Sequence, residues 1–266
     1  MERFSLSQVT TLGWPFERDV EAYAAAGVPA IGVSVRKLEA YGVAAAARSI
    51  RGAGLAVSCL CATGPFPLGD PAGCRAALDT ARRHLDAAAT LGADCLMVVP
   101  GADPALSWEE AAARARGLLE ALLPAAEQAR VRVAVEPVGQ LRADLGFLHA
   151  FADALDFVDA VGSPWLGAVL EVQVAWTERA LYANLAARPD RIALVQVSDF
   201  KVGTLQAADR VVIGDGDVPL RRICHALAAA GYAGWYDIEL LGPAIEAEGY
   251  DAVVPRAVAR FRALWD

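Results

Sequence analysis

The sequence predicts an α/β protein, a (β/α)8 TIM barrel built as a single domain over residues 1–266. Short valine-rich runs alternate with amphipathic, alanine-rich stretches along the whole chain, which is typical of repeated βα units and a parallel sheet. Eight such runs are present, the number that closes a barrel. A chain of 266 residues is a common length for one barrel, and no linker divides it.

The predicted strands are apolar runs that end at polar or turn-forming residues: 4–9, 30–35, 55–61, 95–99, 131–136, 166–172, 192–198 and 235–240. The predicted helices between them are 16–26, 38–51, 72–91, one capped by Ser107, 145–161, 176–187, 220–230 and 251–264. An open doubly wound sheet is the alternative, but no glycine-rich phosphate turn follows the first strand.

Composition excludes several classes of protein. The apolar fraction of 56% contains no uninterrupted span that could cross a bilayer, and no basic and then apolar signal opens the chain. A net charge of -8 argues against a nucleic-acid binder, which needs clustered Lys and Arg. The five cysteines lack metal-ligand spacing and are predicted to be reduced thiols. We expect a soluble, cytoplasmic protein with no membrane or nucleic-acid partner.

Four consecutive predicted strands end with an oxygen-bearing side chain. Because side chains alternate along a strand, Val135 faces the helices and Glu136 faces the barrel axis. The same alternation directs three further side chains inward: Glu171, Gln196 and Glu239. The working residues of such barrels lie at these carboxyl ends of the strands. We therefore expect the four groups to meet at one point.

Three carboxylates crowded at a barrel mouth would repel one another unless a cation compensates them. A divalent metal would supply that charge, and an oxygen-only ligand set of Glu136, Glu171, Gln196 and Glu239 suits Mg²⁺ or Mn²⁺. The alternative is that one or two of the acids pair with Arg or Lys or share a proton.

The segment after the seventh strand is dense in charges and glycines. Asp199, Lys201 and Arg210 precede the turn Gly-Asp-Gly-Asp at 214–217, so either a polar ligand is bound here or a loop is pinned. Lys201 is predicted to polarise a substrate carbonyl or to stabilise an enolate. Arg210 is a further catalytic candidate, and its role of holding a substrate oxygen is implied by the family resemblance given below. Four residues are candidates for substrate binding at the mouth: Trp14, Arg36, Trp176 and Asp199.

The strand ends VEP, VLEVQVAW, LVQVSDF and YDIELLGP, with RVVIGDGDVPL, resemble the xylose isomerase-like barrel superfamily of sugar-phosphate isomerases, epimerases and lyases. The resemblance implies a metal held by side chains on strands five to eight, here Glu136, Glu171, Gln196 and Glu239. Relatives usually have Asp and His where this chain has Glu171 and Gln196. Gln at this position resembles the dehydroshikimate dehydratase branch. Relatives also carry Asp-x-x-His on the sixth strand, where this chain has Val174.

The sequence and the resemblance together predict a metal-dependent isomerase or epimerase. It would abstract a proton next to the carbonyl of a small polyhydroxylated compound, with Glu136 or Glu239 moving the proton. Three alternatives stay open: a dehydratase or lyase, a metal-independent isomerase or cyclase of a larger carbonyl compound, and a barrel that binds a sugar without turnover. A homo-oligomer is expected from the barrel type, although no residue indicates the interface.

Overall fold

The computed structural model describes residues 3–204 and 209–266, and these form a closed barrel of eight parallel strands in sequence order. This confirms the predicted fold. Each strand pairs with the next, and the first pairs with the last. The strands are β1 (Phe4–Ser7), β2 (Ala30–Ser34), β3 (Ala56–Thr63), β4 (Cys95–Val98), β5 (Arg132–Val135), β6 (Leu166–Glu171), β7 (Ile192–Val197) and β8 (Tyr236–Ile238).

Helices surround the barrel in the described part of the chain. They are α1 (Phe16–Ala25), α2 (Val35–Tyr41), α3 (Val43–Gly52), α4 (Pro71–Leu91), α5 (Trp108–Ala129), α6 (Phe151–Val161), α7 (Val172–Ala175), α8 (Leu181–Ala187), α9 (Leu220–Ala229), α10 (Pro243–Glu248) and α11 (Tyr250–Arg262). Ser107 caps α5 in a reciprocal capping box with Glu110, as its position in the sequence predicts. None of the described helices combines the length and apolar character that a membrane span requires.

Three predicted helices differ from the observed ones. The helix predicted over 38–51 is divided into α2 and α3 at Gly42, whose φ of 91° no helix can accommodate. The helix predicted from residue 145 starts only at Phe151. The helix predicted over 176–187 begins at Leu181, and a separate short helix, α7, directly follows β6. The Glu171 carboxylate causes that early turn, because it accepts a hydrogen bond from the Val174 amide.

Two apolar layers hold the barrel together. The larger one lies between the sheet and the helices and includes Val133, Val135 and Val195, the strand residues that alternation directs outward. The smaller one fills the barrel interior with Cys59, Cys95, Met97, Ala134, Val169 and Leu194. Small and sulfur-containing side chains fit this narrow interior. The polar side chains at the strand ends described below lie next to this packed interior.

A buried carboxyl group lies in the interior layer just below the mouth. Asp237 has no solvent exposure, and its Oδ1 accepts a hydrogen bond from Ser5 Oγ at 2.5 Å. The pKa of Asp237 is raised from 3.8 to about 7. Burial is the largest cause, the Ser5 hydrogen bond opposes it, and the Glu239 charge acts in the same direction as burial. Gly32 provides the space, since a Cβ there would lie 2.6 Å from Asp237 Oδ1. The carboxyl group is therefore a fixed part of the barrel interior.

Candidate active site

The four polar strand ends meet at the carboxyl end of the barrel. Glu171 pairs with Gln196 in the β6–β7 register, and Gln196 pairs with Asp237 in the β7–β8 register. Gln196 Nε2 donates to Glu239 Oε1 at 3.0 Å, which joins the ends of β7 and β8 directly. Glu136 follows β5, and Glu171 and Glu239 are close enough for their charges to raise its pKa. The predicted convergence is thus present.

Arg210 supplies the positive charge of this cluster. Its side chain is buried, Nη1 forms an ion pair with Glu239 Oε2, and Nη2 lies 3.3 Å from Glu171 Oε1. Nε donates to Gln173 Oε1 at 2.9 Å. The guanidinium therefore joins the carboxylates at the ends of β6 and β8. We call Arg210, Glu171 and Glu239 the arginine cluster.

Glu136 is the carboxylate of the mouth that this arginine does not bind. It is partly exposed, and the described residues give it no hydrogen bond or ion pair through its side chain. The pKa of Glu136 is raised from 4.5 to about 8. Burial is the largest cause, the charges of Glu239 and Glu171 act in the same direction, and Arg210 opposes them. Such a group can take and return a proton near neutral pH.

The predicted Mg²⁺ or Mn²⁺ site does not fit the arrangement of these side chains. Both oxygens of Glu239 and both oxygens of Glu171 already receive donors from the protein. Gln196 turns its Nε2 donor toward Glu239, while its buried Oε1 has no hydrogen-bond partner among the described residues. Among all residues that the structure describes, no three His, Cys, Asp or Glu side chains lie close enough together to hold a metal ion. The pairing of acids with an arginine, the alternative left open by the sequence, is what the structure contains.

Asp199 organises the loop that carries Arg210. Its two carboxylate oxygens accept four backbone hydrogen bonds, from Phe200, Gly214, Gly216 and Val218, at 2.8 to 3.1 Å. Asp199 is 1% exposed, and its backbone pairs with Val211 in an isolated β-bridge. This full engagement leaves no oxygen turned to a ligand. The predicted substrate-binding role is therefore replaced by the other possibility that the sequence left open, a pinned loop.

Four other predicted site residues have environments of their own. Lys201 is exposed, because the chain turns outward after the buried Asp199. Arg36 is exposed at the start of α2. Trp14 is partly buried, packs edge-on against Tyr250 and carries the Arg18 guanidinium 4.3 Å from its ring centre. Trp176 caps α7 and packs against the core. Within residues 3–204 and 209–266, none of these four side chains forms a hydrogen bond or ion pair with the arginine cluster.

We expect Lys201→Ala to change turnover by less than about twofold, because the side chain is solvated outside the cluster. Steady-state rates of the wild type and the variant check this. A loss of a hundredfold would show that the lysine folds over the mouth during turnover.

Sequence reasoning missed three polar or sulfur groups of the site. Ser198 Oγ donates to Glu171 Oε1 at 3.3 Å, and Gln173 accepts from Arg210. Cys61 Sγ lies 4.0 Å from Glu239 Oε1. The alternation of β7 directs Ser198 to the same side as Gln196 and could have indicated it. Gln173 had no such signal, because it lies in α7 rather than on a strand.

A cavity of about 660 Å³ opens at the opposite, amino-terminal end of the strands and is lined in part by Asp94, Arg132 and Tyr232. Arg132 there donates to the backbone carbonyls of Ile192, Leu166 and Asp190. This end of a barrel serves stability, whereas chemistry is found at the carboxyl end. The arginine cluster and Glu136 are therefore the candidate active site.

Comparisons with known proteins identify the family of this chain. The sequence model of the xylose isomerase-like TIM barrel family matches residues 20–260. A protein from Sinorhizobium meliloti 1021 has a similar structure, with 30% identity, a TM-score of 0.93, and coverage of 99% of this chain and 98% of that chain. No curated protein matches the sequence.

Two more distant structures share the fold. The IolI protein, solved with a zinc atom, is 20% identical with a TM-score of 0.88, and 98% of this chain aligns with 97% of it. D-psicose 3-epimerase with D-tagatose, from Clostridium cellulolyticum H10, is 15% identical with a TM-score of 0.80, and 99% of this chain aligns with 98% of it. At these identities the similarity extends to the barrel and its closure.

Proposed function

Because the chain belongs to the xylose isomerase-like TIM barrel family, we propose that it is an isomerase or epimerase that abstracts a proton next to the carbonyl of a small polyhydroxylated compound. The observation that carries the proposal is Glu136, a carboxylate at the mouth to which the described residues give no ion-pair partner, beside a buried arginine. A base and a nearby positive charge are the two groups that this reaction needs.

The reaction begins with Glu136 in its ionised form. Glu136 takes the proton from the carbon next to the carbonyl; the electron pair of that C–H bond forms a C=C bond, and the π pair of the carbonyl moves to its oxygen to form an enolate. Arg210 is a buried cation of the mouth and supports the negative charge that develops there. Protonated Glu136 returns the proton either to the same carbon, which restores the substrate, or to the former carbonyl carbon. In the second case the hydroxyl proton of the neighbouring carbon passes to the enolate oxygen, which moves the carbonyl group by one carbon and completes the isomerisation.

The state of Glu239 favours isomerisation over epimerisation. Epimerisation at one carbon uses a second acid on the opposite face of the substrate, and Glu239 was the other candidate. Its carboxylate instead binds Arg210 and Gln196, so both of its oxygens already accept hydrogen bonds from the protein. A single base that moves a proton between neighbouring carbons on one face suits aldose–ketose isomerisation.

Proton exchange with D2O tests the proposal even when the product is unidentified. The protein is incubated with aldoses, ketoses and dehydroshikimate in D2O, and deuterium next to the carbonyl is followed by NMR. We expect incorporation with at least one keto-sugar or aldose. Loss of water from dehydroshikimate would identify a dehydratase instead. Binding of a sugar with no exchange would identify the non-catalytic barrel.

The exchange rate should rise with pH, because Glu136 must be ionised to act as the base and its pKa is raised to about 8. Below that pH, kcat/KM is expected to increase about tenfold per pH unit and then to level off above about pH 8. Rates measured from pH 6 to 10 check this. A flat profile, or one that falls over this range, would exclude Glu136 as the initial base.

A further inference from the structure

We infer that Arg210 is the resident cation of this site and occupies the position that a divalent metal would need, so that the chain works with a covalently held positive charge. The inference deepens the proposed function and rests on it for the chemistry only. The zinc-containing neighbour of the same fold shows that this type of barrel can hold a metal. In this chain the carboxylates of Glu171 and Glu239, which are among the predicted metal ligands, bind Arg210.

The first argument is the use of the oxygens. Glu239 Oε2 binds Arg210 Nη1, and Glu239 Oε1 accepts from Gln196 Nε2 at 3.0 Å. Glu171 Oε2 accepts from the Val174 amide at 2.8 Å, while its Oε1 faces Ser198 and Arg210. A metal in contact with these carboxylates would either have to displace the guanidinium or, if the guanidinium stayed, would meet a second positive charge within a few ångströms.

The second argument is the orientation of the Gln196 amide. With Nε2 toward Glu239, a donor faces a carboxylate, whereas the flipped amide would place its carbonyl oxygen against that carboxylate. The observed orientation therefore follows from its neighbour. A metal would require the carbonyl oxygen to turn inward, which breaks this hydrogen bond. In this orientation the buried Oε1 has no hydrogen-bond partner among the described residues.

The third argument is that Arg210 is held from several sides. Its backbone amide donates to Leu241 O at 3.0 Å, and the next residue, Val211, donates to Asp199 O at 3.0 Å. Gln173 Oε1 holds Nε at 2.9 Å. The guanidinium is thereby fixed before any substrate arrives, and the described residues leave Nη2 with an ion pair but no hydrogen bond. An N–H of Nη2 is free to donate to a substrate oxygen.

The inference predicts opposite metal affinities for the wild type and for a variant without the guanidinium. Arg210→Ala leaves the carboxylates of Glu171 and Glu239 without their ion-pair partner, so that these side chains can turn toward a divalent metal. Chelator-treated proteins are titrated with Mn²⁺ by calorimetry and by electron paramagnetic resonance of free Mn²⁺. We expect no saturable binding to the wild type below about 1 mM, and a Kd at least about tenfold lower for Arg210→Ala.

Three further variants make the result specific. Arg116→Ala removes an exposed arginine of α5 that pairs with Glu120, and it should behave as the wild type. Arg210→Lys keeps a positive charge at the site and should also exclude Mn²⁺. Arg210→Ala combined with Glu239→Gln should lose the acquired binding. If Arg210→Ala folds poorly, Mn²⁺ is expected to raise its melting temperature more than that of Arg210→Lys.

Stoichiometric Mn²⁺ binding to the wild type at micromolar concentrations, not tightened by Arg210→Ala, would overturn the inference. Equal thermal responses of the Arg210→Ala and Arg210→Lys variants to Mn²⁺ would do the same. These readouts need no substrate. A protein that excludes Mn²⁺ but exchanges no proton with any carbonyl compound would therefore contradict the proposed reaction and leave the role of Arg210 intact.

Discussion

Glu136→Gln is expected to lower the rate of proton exchange by about a hundredfold to ten-thousandfold, the usual contribution of a general base. The amide keeps the size of the side chain but cannot accept the proton. Binding of a sugar ligand should change little, because Glu136 forms no ion pair with any residue that the structure describes. Exchange rates in D2O and ligand affinity measure the two effects separately. Glu127→Gln, an exposed change on α5, serves as the control.

The same variant should also be more stable at alkaline pH. The folded-state pKa of Glu136, about 8, lies above its ordinary value of 4.5, so the folded protein holds a proton that the unfolded chain releases. The free energy of unfolding therefore falls as pH rises from 4.5 to about 8. Gln removes this loss, and we expect Glu136→Gln to gain about 1–3 kcal/mol at pH 8 and little at pH 4. Parallel pH–stability curves for the wild type and variant, from urea unfolding, would contradict this.

Asp199→Ala should cost about 3 kcal/mol or more in the free energy of unfolding, because it leaves four backbone N–H groups of the loop without their acceptor. Activity should fall with it, since the same loop carries Arg210 and pairs at Val211. Asp199→Asn should retain only part of the stability that Asp199→Ala loses. One oxygen accepts from Phe200 and Val218 and the other from Gly214 and Gly216, so an amide NH2 must face two donors.

Asp217→Ala is the matched control for the loop. Asp217 lies in the same segment, is exposed, and accepts one backbone hydrogen bond, from Val202 at 2.8 Å. We expect its loss to cost about 1 kcal/mol or less. Urea unfolding of both variants compares one acceptor with four. Equal destabilisation would mean that the Asp199 hydrogen bonds do not hold the loop.

The barrel and its four polar strand ends could be predicted because both follow from local regularities. Alternation along a strand fixes which side of the sheet a residue faces, and this placed Glu136, Glu171, Gln196 and Glu239 at one mouth. The hydrogen-bond and ion-pair partners of these side chains lie far away in the sequence and do not follow from such regularities. Arg210 is held at the mouth by long-range contacts: its backbone pairs with Leu241, and Asp199 binds the backbone of Gly214 and Gly216, which follow Arg210 in the chain. Strand alternation gives no information about these contacts.

Two features of the structure differ from the sequence-based expectation because each depends on a single residue: the exposed position of Lys201 and the division of a predicted helix at Gly42. Lys201 follows a strand end in the sequence, but the chain turns outward once Asp199 has taken the buried position. The break at Gly42 depends on a single left-handed residue within an otherwise helical alanine-rich pattern. Strand alternation describes residues up to the end of the strand, and the loop beyond it follows its own hydrogen bonds.

The covalent attachment of Arg210 has a consequence for how the protein depends on its surroundings. A bound ion leaves its site on dilution, in the presence of a chelator, or when the cell is starved of that element, because its occupancy follows a dissociation equilibrium. A guanidinium built into the chain has no such equilibrium. Occupancy of the site by positive charge is then set by folding of the loop around Asp199 alone, and the supply of trace metals has no influence on it.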